Sequence, residues 1–97
     1  MAQVVAEQAV EARIDNYLHY LLREWNRLPW VFSEWNDWEE HERLNFVLEW
    51  PIREDRLLQL RGWEEQGLLG SDQRRKFEQL LGLIEAHRPQ LDRLLAE

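Results

Sequence analysis

The chain has 97 residues, no cysteine, six tryptophans and a formal charge of −7 from 19 acids against 12 bases. That length suits one domain, and 44% hydrophobic with 32% charged residues supplies both a core and a surface, which excludes a disordered acidic tail. A disulfide framework, a thiolate nucleophile and Cys-ligated zinc are excluded, no apolar run approaches the ~20 residues that span a bilayer, and the opening residues lack a basic-then-apolar leader pattern.

The first predicted helix is marked by Val10, Ile14, Tyr17, Leu18, Leu21, Trp25 and Leu28, spaced three and four apart on one stripe. Residues 1–9 extend it or fray, and Pro29 is expected to end it at Leu28. Residues 30–36 are too apolar to hang in water and read as a loop or short helical turn folded onto the core. Asp37 and Glu40 have capping-box spacing, opening a second helix over about Trp38–Trp50. Its Phe46-Val47-Leu48 run predicts a central helix, covered on more than one side.

Pro51 either kinks a continuing helix or opens a new one, where its missing N–H costs nothing. The element after it carries Ile52, Leu57, Leu60 and Trp63, tolerates Gly62 in its interior, and stops at Gly67 as C′ residue. Gly67-Leu68-Leu69-Gly70 is a turn, and Ser71 is the expected N-cap of the last helix. Phe77, Leu80, Leu81, Ile84, Leu91, Leu94 and Leu95 trace that helix to the C-terminus, with Pro89 as a kink or the start of a short final helix. The expectation is a single all-α domain over 1–97, a compact bundle of about four helices.

Little covalent chemistry fits this inventory. Thr is absent, Ser occurs only at Ser33 and Ser71, and Lys only at Lys76, so an activated nucleophile has few candidates. Bundle di-metal sites use Glu-x-x-His, but the residues three before His19, His41 and His87 are Asn16, Trp38 and Ile84. Asp37 and His41 share a face at i and i+4, a spacing common by chance, and His19 lies between Asp15 and Arg23 on a charged face. The four glycines match neither Gly-rich phosphate loop. The expectations are no enzyme, no metal and no cofactor. A net-acidic chain whose one basic cluster is Arg74-Arg75-Lys76 is not expected to bind nucleic acid. Without Cys, a reducing cytoplasm is the expected setting.

Charge and tryptophan coincide. Residues 30–50 hold six acids against Arg43 alone, a net −5, together with Trp30, Trp35, Trp38 and Trp50. Trp25, Trp50 and Trp63 lie on helical stripes and are assigned to the core, whereas Trp30, Trp35 and Trp38 flank a break among acids. The candidate site is therefore an acidic, Trp-bearing patch of Trp30, Glu34, Trp35, Asp37, Trp38, Glu39, Glu40 and Glu42 that meets a basic protein partner. Three roles follow: a small antitoxin or inhibitor, a DNA mimic, or a homo-oligomer in which Arg74, Arg75 and Lys76 of one subunit meet the acids of another. A further alternative is a ligand-binding bundle anchored by Arg43, Arg53 or Arg56, against which stand the helical pairs Glu39–Arg43 and Glu49–Arg53.

The stretches Glu49-Trp50-Pro51-Ile52-Arg53-Glu54-Asp55-Arg56-Leu57 and His87-Arg88-Pro89-Gln90-Leu91-Asp92-Arg93-Leu94-Leu95 resemble those of short, acidic, all-helical bacterial proteins of uncharacterised role. The resemblance covers about residues 14–96. Some of those proteins are suspected antitoxin-like partners, which is what the resemblance implies here, and it transfers no functional residue. The usual antitoxin layout, a DNA-binding domain followed by a disordered tail, is not visible in this chain.

Overall fold

The structure is a computed structural model that describes residues 2–96, with side chains described from residue 8. The described residues are all-α, with no strand. Helix α1 spans Ala2–Asn26, α2 Leu28–Glu34, α3 Glu40–Glu65 and α4 Ser71–Leu95, with a 3₁₀ turn, Trp35–Asp37, between α2 and α3. Hydrogen bonding runs through the α1–α2 junction, since the Arg27 N–H donates to the Arg23 carbonyl and Val31 N–H to the Arg27 carbonyl, both at 3.1 Å. The architecture is thus three long helices, the first bent at Arg27, rather than about four. No helix among the described residues is long and apolar enough to cross a membrane.

The prolines decide readings that the sequence leaves open, and only the break near Pro29 is shifted. The break falls at Arg27, one residue before Leu28, and Pro29 sits in the first turn of α2, where no donor is needed. Pro51 and Pro89 lie inside α3 and α4, and neither opens a new helix. An interior Pro costs about 3 kcal/mol. Burial on both sides of Pro51 offsets this in α3, through Trp50, Leu57 and Leu60; in α4, Ile84, Leu91 and Leu94 do the same around Pro89.

Caps differ as well. Asp37 belongs to the 3₁₀ turn, and Glu39 precedes α3 with no side-chain cap, so the Asp37–Glu40 capping box does not form. Gly70, not Ser71, is the N-cap of α4, and its N–H donates to Gln73 Oε1 at 2.9 Å. The Gly67 prediction is met in detail. Its φ is +73°, its N–H donates to the Glu64 carbonyl (2.9 Å), and Leu68 N–H donates to the Trp63 carbonyl (3.0 Å), the paired bonds of a Schellman motif.

Helix α1 is the central element, packing on both α3 and α4, while α2 packs on α4. Ile14, Leu18, Leu21 and Trp25 of α1 meet Trp50, Leu57 and Leu60 of α3 and Phe77, Leu80, Ile84 and Leu91 of α4 in one core cluster. Val31, Trp35 and Leu94 form a second, smaller one. Helix α3 is therefore not the covered, central helix its sequence suggests: its inner face is buried, but Leu44 and Leu48 are exposed. The molecule measures 52 × 24 × 17 Å with a radius of gyration of 15.6 Å, against about 12.5 Å for a compact chain of this length. It is an elongated bundle, not a compact one.

Candidate functional site

Six aromatic rings form a continuous path from the core to one end of the bundle. Trp25 meets Trp50 edge-on at 5.3 Å between centroids, Trp50 stacks on Phe46 at 5.4 Å, and Phe46 touches Trp35 and Trp38 at 5.5 and 5.9 Å. Trp38 lies 5.5 Å from Trp35 and 5.9 Å from Trp30, which ends the path. Contacts of this kind add about 0.5–1.5 kcal/mol each beyond the area they bury.

The path separates the three uncertain tryptophans. Trp35 is 5% exposed and belongs to the Val31–Leu94 cluster, so it supports the surface and is removed from the set that could touch a partner. Trp38 is half-buried. Trp30 is 53% exposed, with the Arg27 guanidinium 5.5 Å from its ring centroid. Around them Asp37, Glu39, Glu40 and Glu42 are exposed, and Glu34 is half-buried. Glu40 and Glu42 fall in the first turn of α3, where the helix dipole favours anions. Trp25 and Trp50 are core as expected, whereas Trp63 is half-buried against Tyr17.

Metal ligation gains little from this geometry. Asp37 stands off α3 and so shares no helical face with His41. Carboxylate and imidazole atoms of Glu39, His41 and Glu42 come within 4.8 Å of one another, but all three residues are exposed, and His41 Nδ1 already lies 3.3 Å from Glu39 Oε2. The helix runs on past His87, which is therefore mid-helix, 6.2 Å from the Phe32 ring.

The basic cluster is remote. Arg74, Arg75 and Lys76 are exposed at the start of α4, and Arg75, rather than Lys76, pairs with Asp72 at 2.6 Å. Leu94, which packs under Trp35, is about 30 Å further along the same helix at 1.5 Å per residue. One subunit cannot bring its acids and its basic trio together. Ser71 and Lys76 border an open hollow of about 870 Å³ at that far end, while the Ser33 hydroxyl donates to the Trp30 carbonyl at 2.8 Å.

Between the helices lies a charge network that reading the sequence missed. Glu24, 8% exposed, accepts a hydrogen bond from Arg27 (3.4 Å) and forms an ion pair with Arg53 (3.6 Å). Glu54 accepts from Arg88 Nη1 (2.8 Å) and Trp50 Nε1 (3.1 Å). Arg53 also donates to the Glu49 carbonyl (3.0 Å), so its partners are that backbone oxygen and Glu24 rather than the Glu49 carboxylate. Arg56 stacks on Tyr17 and Tyr20 at 5.2 and 5.1 Å. Two of the three arginines proposed as ligand anchors are thus engaged within the chain. The third, Arg43, borders an open hollow of about 370 Å³ beside Trp35 and Leu44. The Glu24–Arg27 spacing was visible in the sequence, but nothing in it marked the carboxylate as buried.

A comparison of the chain with family models, curated proteins and solved structures found no match.

Proposed function

We propose that this chain is a non-enzymatic protein-interaction module that receives a basic protein on its acidic Trp30–Trp38 end. The observation that carries the reading is Trp30: a large aromatic, 53% exposed, resting on Trp38 beside the Arg27 guanidinium, in the segment that also carries Glu34, Asp37, Glu39, Glu40 and Glu42. Exposed Trp with a fixed rotamer loses little entropy on binding, and Trp is enriched among residues that dominate interface energy. The rim acids supply steering, which raises association rate more than it raises final affinity. A small antitoxin or inhibitor of a basic protein, in a cytoplasmic setting, is the role that this surface fits. A DNA mimic fits less well, because outside residues 30–50 the acids are largely offset by bases, so no regular row of excess negative charge runs along the molecule.

Charge pairing between subunits is the weaker alternative. The acidic end and the Arg74–Lys76 trio lie far apart along the molecule, so pairing them takes either a reciprocal antiparallel dimer or a head-to-tail chain, and high salt should disperse both.

The test is capture of basic proteins from host lysate by wild type, by Trp30→Ala and by a Glu39→Lys/Glu40→Lys/Glu42→Lys variant, at low and high salt. One basic protein should be retained by wild type, be released by salt, and be lost in both variants. Equal retention by the triple variant sinks the proposal.

A further inference from the structure

We infer that the outer face of α3 is a homodimer interface in which two copies of the helix pair antiparallel. This face points away from α1. On it Leu44, Leu48, Ile52 and Leu58 are 55%, 65%, 51% and 67% exposed, and Pro51 lies exposed among them. Ordinary Leu and Ile areas make this roughly 400 Å² of apolar surface, inside the range of roughly 300–600 Å² at which patches on single chains are commonly functional. It is also about half of the ~800 Å² per partner in a standard interface, matching the apolar share such interfaces carry.

A second copy of α3 is the occupant whose register matches this face, with Leu44, Leu48 and Leu58 as its apolar positions and Pro51, Asp55 and Gly62 between them. Positions 44, 48, 51, 55, 58 and 62 follow the alternating four-and-three steps of a coiled-coil seam. Folded antiparallel about a two-fold axis that crosses the outer face at the level of residue 53, that seam sets Leu48 of one copy against Leu58 of the other, twice. Leu44 then lies over Gly62, where a Cβ would meet nothing within 4 Å. On one flank Ile52 meets its own symmetry mate, and Asn45 comes beside Gln59, so this border carries no charge. Such depletion of charge is a mark of interface cores.

The antiparallel direction follows from electrostatics. Parallel copies would set Asp55 against Asp55 and place two Glu39–Glu42 clusters side by side with aligned dipoles. The antiparallel register sets Asp55 against Pro51 and opposes the dipoles. Asp55 remains a polar residue in the seam, which fixes register at a cost in affinity.

The surface is distinct from the acidic Trp30 end, and so is its test. Light scattering on the full chain should give twice the 11.9 kDa monomer mass at micromolar concentration. Burial of apolar surface drives this association, so high salt should leave it intact. Leu48→Glu/Leu58→Glu should be monomeric with unchanged helical circular dichroism, Asp55→Leu should tighten the dimer at least tenfold, and Glu39→Lys/Glu40→Lys/Glu42→Lys should remain dimeric. Because the chain has no cysteine, single Cys variants report the register through a short bis-maleimide. Leu48→Cys mixed with Leu58→Cys should cross-link, whereas Leu48→Cys alone, its copies about 15 Å apart along the axis, should not. A monomer at every concentration, or a dimer that survives Leu48→Glu/Leu58→Glu, overturns the interface. Cross-linking of Leu48→Cys to itself overturns the antiparallel register.

Discussion

The Glu24 carboxylate of α1 and the Arg53 guanidinium of α3 lie 3.6 Å apart with side chains only 9% and 12% exposed. Neither charge could be left there alone. Arg53 also rests 5.3 Å from the Trp50 ring centroid, while its Nε is buried with no hydrogen-bond partner, so the guanidinium is held by charge and aromatic contact more than by a complete set of hydrogen bonds.

Removing one partner should therefore cost more than removing both. Glu24→Leu is expected to lose about 3–5 kcal/mol, because it strands a buried cation, whereas Glu24→Leu/Arg53→Met should recover a large part of that loss. Urea unfolding of the singles and the double measures the coupling. If the double is no more stable than Glu24→Leu, the two side chains are not an energetic pair.

The prolines offer a second comparison within one chain. Pro51 lies inside α3 and Pro29 in the first turn of α2. Pro51→Ala restores an interior hydrogen bond and is expected to stabilise by about 1–3 kcal/mol, while Pro29→Ala should change stability by less than about 0.5 kcal/mol. Thermal melts decide, and equal shifts at the two sites would show that position in the helix is not what sets the cost.

Glycines make the same point with opposite signs. Gly67 has φ +73°, and Gly62 is helical with open space where a Cβ would go. Gly67→Ala should cost about 1–2 kcal/mol from left-handed backbone strain, and Gly62→Ala should add about 0.5–1 kcal/mol to subunit stability. Loss of stability in both would remove the conformational explanation.

These sites also show what was legible before the structure. The stripe of α4 and the stop at Gly67 depend on local spacing and backbone conformation, and both are found as read. Pro51 and Pro89 were ambiguous because continuation through an interior proline is decided by burial on both sides of it, which is tertiary. Helix α3 misled for a related reason: the Phe46-Val47-Leu48 run made it read as covered on more than one side, yet apolar residues on two faces do not say how many neighbours exist. Nothing in the local pattern marks Glu24 as buried, since charged residues usually lie at the surface. In the candidate site, seven helical residues plus a 3₁₀ turn are too short for periodicity to tell which tryptophan points inward, so Trp30 and Trp35 were indistinguishable.

That ambiguity has a direct energetic form. Trp35 is buried between Val31, Leu94, Phe46 and Trp38, and its truncation should cost about 3–5 kcal/mol. Trp30 has half its surface in solvent and touches mainly Trp38 and Arg27, so Trp30→Ala should cost under about 1 kcal/mol. Trp38, half-buried between Trp30, Trp35 and Phe46, should fall between them. Denaturant unfolding of the three single variants gives the order. Trp35→Ala as mild as Trp30→Ala would mean that the base beneath the acidic end is not rigid, and the low entropic cost assigned to binding at Trp30 would go with it.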